Sequence, residues 1–318
     1  MVVGFASLYI YKMKKNKENL KRFHSISEIH QAFGMPKPRH PLISLTHFNE
    51  SNPFNPEKIQ VYDVMDFYKI AFTTENYGRM KYGRKYYDFK EGSMLFIAPN
   101  QVIGSSEYSD ESSSYILLMH PDFLLGYPLA KKIKQYGYFS YSVNEALHLS
   151  DDEKQVILSV YKIIEQELNS RLDDCSQDVM ITQIELLLNY ANRFYKRQFI
   201  TRKAVNDDLL QKTEAVLDEY FYHRQTLEQG IPSVQFLSEK LHVSAGYLSD
   251  MLRSLIGQNA QQYIHQKLIE NAKEKLSTTT LTVSEIAYEL GFEHPQSFSK
   301  FFKKKTEISP VAFRQSFN

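Results

Sequence analysis

The chain has 318 residues, length enough for two domains, and its 42% hydrophobic and 24% charged residues describe a globular protein rather than a disordered or membrane-spanning one. Its 38 Lys+Arg and 37 Asp+Glu leave a formal net charge of +1, which excludes a field over the whole molecule as a means of attracting a polyanion and leaves only a local patch. Cys175 is the single cysteine, so no internal disulfide forms, in keeping with a reducing cytoplasm.

The chain opens with "VVGFASLYIY" followed by "KMKKNKENLKR". That apolar run is too short to span a bilayer, and its basic residues follow it where a secretory signal would place them before. It is either an anchor or the consequence of a translation start at Met13 that leaves residues 1–12 outside the native chain. Residues 1–37 are taken as an N-terminal segment, with no membrane as partner.

Residues 38–127 predict β-structure. "HPLISLTHF", "DVMDFYKIAFTT", "KYGRKYYDF", "GSMLFIAP" and "SSYILLMH" are short β-branched and aromatic runs separated by turn formers, the pattern of a sandwich or barrel. Residues 128–200 change texture. Ser150 and Glu153 form a capping-box pattern ahead of Val156, Val160, Ile163 and Ile164 at helical spacing. A second helix is predicted from Ser176, striped by Ile184, Leu188, Ala191 and Tyr195 with Leu187 and Phe194 beside them. The stripe either joins two copies of the chain as a homodimer through residues 150–199 or packs on the preceding strands. Residues 201–208, polar and without periodicity, predict a linker, and residues 209–318 read as helical.

An internal repeat lies in this last part. Val234, Leu237, Ser238 and Leu241 match Val283, Ile286, Ala287 and Leu290, and after a one-residue slip Leu248, Met251 and Leu252 match Phe298, Phe301 and Phe302. Ser244 caps the second helix of the first unit, Pro295 suits the first turn of its counterpart, and Gly291 supplies a left-handed helix end, so each unit reads as a helix-turn-helix. On a helical wheel Leu248, Met251, Leu252 and Leu255 face in, as do Phe298, Phe301, Phe302 and the stem of Lys305. Gly246, Asp250 and Arg253 face out in the first unit, and Gln296, Lys300 and Lys303 in the second. Lysine donates to guanine, glutamine pairs with adenine and aspartate accepts from cytosine, whereas Arg253, Lys303 and Lys304 suit phosphates. The intervening "GQNAQQYIHQKLIENAKEKL" predicts a helix of about 27 Å, near the ~34 Å of a DNA turn, so one chain reaches two successive major grooves of double-stranded DNA.

These residues resemble the AraC/XylS family of bacterial transcription regulators. Ile286, Ala287, Gly291, Phe292, Phe298, Phe301 or Phe302, Lys303, Ser309, Pro310 and Arg314 fit its signature in one ungapped register. By position the resemblance implies readers at Gly246, Ser249 and Asp250 and at Pro295, Gln296 and Lys300. Three residues depart from the pattern: Glu307 stands where glycine is usual, Lys267 where arginine is frequent, and Asp250 where a basic or polar reader is common. Residues 231–318 hold ten Lys+Arg against eight Asp+Glu, so dimerisation or paired sites are expected to supply part of the affinity.

The first part is similar to the cupin-like sensor domains of such regulators, Bacteroidetes members in particular. The resemblance implies an α+β chain: a β-rich cupin-like (jelly-roll) domain with helices, followed by an all-α domain with two helix-turn-helix units. "GSMLFIAPNQVIG" carries Gly92 and Pro99 of the second cupin motif, but Val102, Ile103 and Gly104 stand where the metal histidine is expected, so no metal or cofactor is expected. Tyr77, Arg79, Tyr82 and Arg84, with Tyr86 and Tyr87, either line a pocket for a small-molecule effector or face outward on an edge strand. The expectation is a cytoplasmic, sequence-specific DNA-binding regulator. Two alternatives stand beside it: a protein-binding adaptor, and a non-metal cupin enzyme for which no nucleophile-base pattern, phosphate loop or metal spacing is present.

Overall fold

The computed structural model describes residues 20–49, 62–74, 79–82, 85–88, 92–104, 106–107, 113–142, 145–171, 173, 175–201 and 203–317. The chain divides into two compact units, Met1–Gln198 and Phe199–Asn318. The Met13 start falls outside the described residues, as do Tyr77 and Arg84.

Strands dominate the first unit: β1 (Leu20–Phe23), β2 (Ile43–Phe48), β3 (Tyr62–Met65), β4 (Tyr68–Thr73), β5 (Arg79–Tyr82), β6 (Lys85–Asp88), β7 (Ser93–Ile97), β8 (Val102–Gly104), β9 (Ser106–Glu107), β10 (Ser114–Met119) and β11 (Leu147–His148). Helices α1 (Ile26–Phe33), α2 (Leu129–Lys132), α3 (Asp151–Asn169) and α4 (Ser176–Thr201) complete it. A five-stranded sheet runs β11-β7-β4-β10-β2, flanked by three-stranded sheets β1-β3-β8 and β6-β5-β9. Within the five-stranded sheet β7 and β10 are buried along their whole length, as a strand covered on both faces must be. One face carries Ala71, Leu95, Ile97, Ile116 and Leu118 and packs on Phe23, Ile26 and Ile29 of β1 and α1. The other meets the helices: Tyr161 of α3 stacks on Phe72 at 5.9 Å and donates to the Ile70 carbonyl at 3.3 Å.

Three sequence expectations change here. The segment 1–37 contains a strand and a helix, with Ser25 capping α1 and Gly34 closing it at φ 68°. The α4 stripe faces its own unit. Ile184, Leu188 and Ala191 are fully buried, Tyr138 donates to the Leu188 carbonyl at 2.9 Å, and Tyr195 donates to the Glu145 carbonyl at 3.2 Å. Of the two readings of the stripe, packing within its own unit accounts for these contacts. Finally, β5 is the middle strand of its sheet, so Arg79 and Tyr82 do not lie on an edge strand.

The second unit is helical: α5 (Lys203–Tyr222), α6 (Thr226–Gln229), α7 (Val234–Leu241), α8 (Ala245–Ile256), α9 (Ala260–Thr278), α10 (Val283–Glu289), α11 (Pro295–Thr306) and α12 (Pro310–Gln315). The stretch expected as a linker, 201–208, is helical where it is described: α4 extends to Thr201 and α5 begins at Lys203. Missing periodicity there reflects a helix turn without a continuous apolar stripe, held by the buried Asn206, which donates to the Phe199 carbonyl at 2.6 Å.

Both repeats end their first helix alike. In α10 the Gly291 N–H bonds the Tyr288 carbonyl at 2.9 Å and the Phe292 N–H bonds the Ala287 carbonyl at 3.0 Å. In α7 His242 bonds Glu239 at 3.4 Å and Val243 bonds Ser238 at 3.1 Å. These are Schellman closures, with Gly291 at φ 87° and His242 at φ 57° in the left-handed position. One extra turn residue before the His294 cap, compared with the Ser244 cap, accounts for the slip in the repeat.

Gly291 is required twice over. A Cβ there would lie 2.8 Å from the Gly230 carbonyl carbon and 2.9 Å from the Ile231 nitrogen, while Tyr220 holds the Gly230 carbonyl at 2.9 Å. Glu307 takes the left-handed position ending α11, at φ 68°, without glycine's freedom. Gly291→Ala is expected to lower stability by about 3 kcal/mol through left-handed strain and overpacking. Glu307→Gly is expected to raise it by about 0.5 kcal/mol, the relief exceeding glycine's added chain entropy. Thermal and urea unfolding of the full chain read the two opposite signs.

Candidate nucleic-acid interface

The helices α8 and α11 are fixed from below. Ser244 Oγ accepts the Tyr247 N–H at 3.1 Å to start α8, and Leu248, Met251 and Leu252 are fully buried beneath it. Tyr247 also packs edge-on against Phe199 at 5.2 Å. In α11 Pro295 supplies the first turn, His294 adds no side-chain cap, and Phe298 and Phe302 are fully buried. Phe292 meets Phe298 at 5.4 Å and Phe313 meets Phe302 at 5.6 Å, so the aromatic core extends to the turn before α11 and the helix after it.

The outward residues of the two helices differ in exposure. Gln296, Lys300, Lys303 and Lys304 are exposed on α11, with Pro295 half-buried at its start. On α8 Arg253 is exposed while Gly246, Ser249 and Asp250 are half-buried. Three placements differ from the wheel. Leu255 and Phe301 are half-buried, Phe301 meeting His265 edge-on at 5.1 Å. Lys305 is exposed where its stem was expected inward, and it shares a groove with Gln262, His265, Gln266 and Lys273. Burial first and then the Lys305 charge hold the His265 imidazole below its usual range. The sequence reading missed this groove because its residues come from α9 and from the far end of α11.

Charge separates the two rows. Arg253 forms an ion pair with Asp250 on its own helix, so the guanidinium expected to meet phosphate is engaged in the free protein. Among the described residues Lys300, Lys303 and Lys304 form no ion pair. Lys303 and Lys304, in the last turn of α11, also suit the negative end of the helix dipole.

The signature residues away from these rows build the scaffold. Ile286 and Ala287 are buried, Ser309 Oγ accepts the Ala312 N–H at 3.1 Å to start α12, and Arg314 Nε donates to the Leu276 carbonyl at 3.1 Å at the end of α9. Lys267, 13% exposed, bonds Glu214 and lies 3.7 Å from Asp218, tying α9 to α5. Its burial depresses the ammonium, but Glu214, Tyr263 and Asp218 outweigh that and hold its pKa above the usual lysine value. Multiple carboxylates around a point charge make lysine sufficient where a bidentate fork is not needed.

Residues 237–316 match the family described as "Helix-turn-helix domain". These residues are an AraC-type helix-turn-helix domain. Among curated relatives, the uncharacterized HTH-type transcriptional regulator YfiF of Bacillus subtilis (strain 168) is 23% identical over 255 residues, covering 78% of this chain and 76% of that protein. A second from the same organism, YisR, is 28% identical over 148 residues, covering 39% of this chain and 52% of that protein. A solved structure, the C-terminal domain of the two-component response regulator yesN from Fusobacterium nucleatum subsp. nucleatum, is 38% identical, with a TM-score of 0.28, covering 32% of this chain and 96% of that one.

With the domain identified, its exposed lysines yield a salt prediction. Lys303→Ala and Lys304→Ala should each weaken binding to every duplex alike. Each removed phosphate contact should lower the slope of log K against log salt by about 0.9. Titrations of a fluorescent duplex at several salt concentrations check this.

Proposed function

We propose that the chain is a sequence-specific, DNA-binding transcription regulator whose second unit reads duplex DNA through α8 and α11. The carrying observation is the repeated presentation of α8 and α11 in one helix-turn-helix domain, each with a buried apolar side and a polar outward row. The linking helix α9 has 19 residues, about 28 Å of rise, against the ~34 Å separating successive major grooves. Base readers are Gly246, Ser249 and Asp250 on α8 and Pro295, Gln296 and Lys300 on α11; Arg253, Lys303 and Lys304 lie toward phosphates.

The first unit is assigned a cupin-like sensing or dimerising role, supported by Gly92 at φ 76° opening β7 and by Pro99 following it, as in the second cupin motif. Among the described residues no cluster of His, Cys, Asp or Glu is arranged to hold a metal. Pairing of two chains through residues 150–199 would use the outer side of α3 and α4, where Ile163, Val179 and Leu186 are exposed. Among the described residues no helix is long and apolar enough to cross a membrane. A cytoplasmic site of action follows from DNA as the partner.

Lys300 is the sharpest test. Lys300→Ala is expected to weaken binding to the cognate duplex by about 1–3 kcal/mol and to relax preference at one base pair, leaving other positions unchanged. Selection of binding sites from random duplexes followed by affinity measurement checks both. Unchanged affinity and unchanged preference would remove Lys300 from the reading row.

A further inference from the structure

The helix α9 uses two faces. Tyr263, Ile264, Leu268, Ala272 and Leu276 are buried in the scaffold, whereas Gln262, His265, Gln266, Glu270 and Lys273, three and four residues apart, form a second, polar stripe. With Gln258 ahead of the helix and Lys305 from the end of α11, that stripe lines a pocket of about 330 Å³, at the small end of cavities that take small molecules. Lys305 lies about 140° around α11 from Lys300, so the pocket stands apart from the outward row.

Its polar groups are not spent on the protein. Gln258 Oε1 is buried and has no hydrogen-bond partner among the described residues, a costly state for an acceptor that a ligand O–H or N–H relieves. Gln262 Oε1 accepts the Asn259 N–H at 2.9 Å, which leaves its Nε2 without a partner among the described residues. Gln261 Nε2 lies 2.9 Å from His265 Nε2. An amide nitrogen only donates, so His265 Nε2 accepts and its proton sits on Nδ1, which has no hydrogen-bond partner among the described residues. Lys273 and Lys305 are exposed and form no ion pair among the described residues. Glu270 accepts from Gln266 at 2.9 Å and lies 3.9 Å from Lys267, with acceptor capacity left for a hydroxyl.

Two ammonium groups call for about two negative charges, which a phosphate monoester carries near neutral pH and a single carboxylate does not. The acceptors Gln258 and Glu270 call for hydroxyl groups on the same molecule. We propose that this pocket binds a small polyhydroxylated phosphate monoester of the size of a pentose phosphate, its phosphate meeting Lys273 and Lys305 and a hydroxyl donating to Gln258 Oε1. The site stands whether or not α8 and α11 read bases.

Calorimetry of the full chain with ribose 5-phosphate, ribose and inorganic phosphate tests it. Ribose 5-phosphate should bind roughly tenfold more tightly than either fragment. Lys273→Ala and Lys305→Ala should each weaken it by roughly tenfold, as the loss of a charge-assisted hydrogen bond does. Gln258→Leu should weaken ribose 5-phosphate and leave inorganic phosphate unchanged. Imidazole NMR adds a second readout. Burial first and Lys305 second hold the His265 pKa down, so it should rise when phosphate binds beside it, and rise in the free Lys305→Ala protein. No binding of ribose 5-phosphate at millimolar concentration, or binding that both lysine substitutions leave intact, overturns the proposal. Equal affinity for inorganic phosphate and ribose 5-phosphate overturns it too, since the pocket then takes an anion only. A DNA duplex that displaces ribose 5-phosphate, with both lysine substitutions lowering the salt slope of duplex binding, overturns it in favour of a backbone phosphate.

Discussion

The second helix-turn-helix depends on the approach of two glycine backbones. Gly291 must adopt φ 87° to close α10, and its missing Cβ is what lets Gly230 lie against it. Around that point Tyr220 holds the Gly230 carbonyl, Thr226 donates to the Glu289 carbonyl, and Lys275 bonds Glu289 at 2.7 Å. Phe292, the next residue, bonds back to Ala287 and carries the chain onto Phe298. The direction in which α11 leaves the turn, and so which of its residues reach solvent, follows from this contact. Phe298 and Phe302 then fix rotation about the helix axis, because turning Lys300 inward would expose two fully buried rings.

The first helix-turn-helix solves the same problem under looser constraint. His242 takes the left-handed position that glycine fills in the second, and Ser244 provides the side-chain cap that His294 does not. Duplicate scaffolds with different local solutions leave the outward positions independent of the fold. Asp250 and Lys300 can therefore differ in sign while Leu248 and Phe298, in corresponding positions, are both fully buried.

Much of this was legible in the sequence because it depends on local chemistry. The capping box of Ser150 and Glu153, the Gly291 helix end, the repeat and its slip are all patterns of neighbouring residues. The helix α1 was equally local, with Ser25, Glu28 and Gly34 marking its ends, but it was hidden inside a segment read only for targeting. What the sequence does not carry is the identity of the surface a stripe meets. Periodicity put Ile184, Leu188 and Ala191 on one side of α4; only the tertiary contacts with Tyr138 and Tyr195's bond to Glu145 say that the side is interior. The polar stretch 201–208 shows no periodicity for the complementary reason, since helix formation there needs no apolar stripe. For the outward rows the sequence yielded the residues and not their pairing, although the three-residue spacing of Asp250 and Arg253 is visible in it.

A helix-turn-helix domain with ten basic and eight acidic residues over 231–318 cannot rely on net charge to find DNA. It relies on where those charges are. Lys267 and Lys275 are paired with carboxylates of the same unit, and Arg314 is turned to the Leu276 carbonyl, so these cations act in the scaffold. Lys300, Lys303 and Lys304 are exposed on one short helix and without ion-pair partners among the described residues. Screening over about 8 Å at physiological salt means that such a cluster acts at close range rather than by steering from a distance.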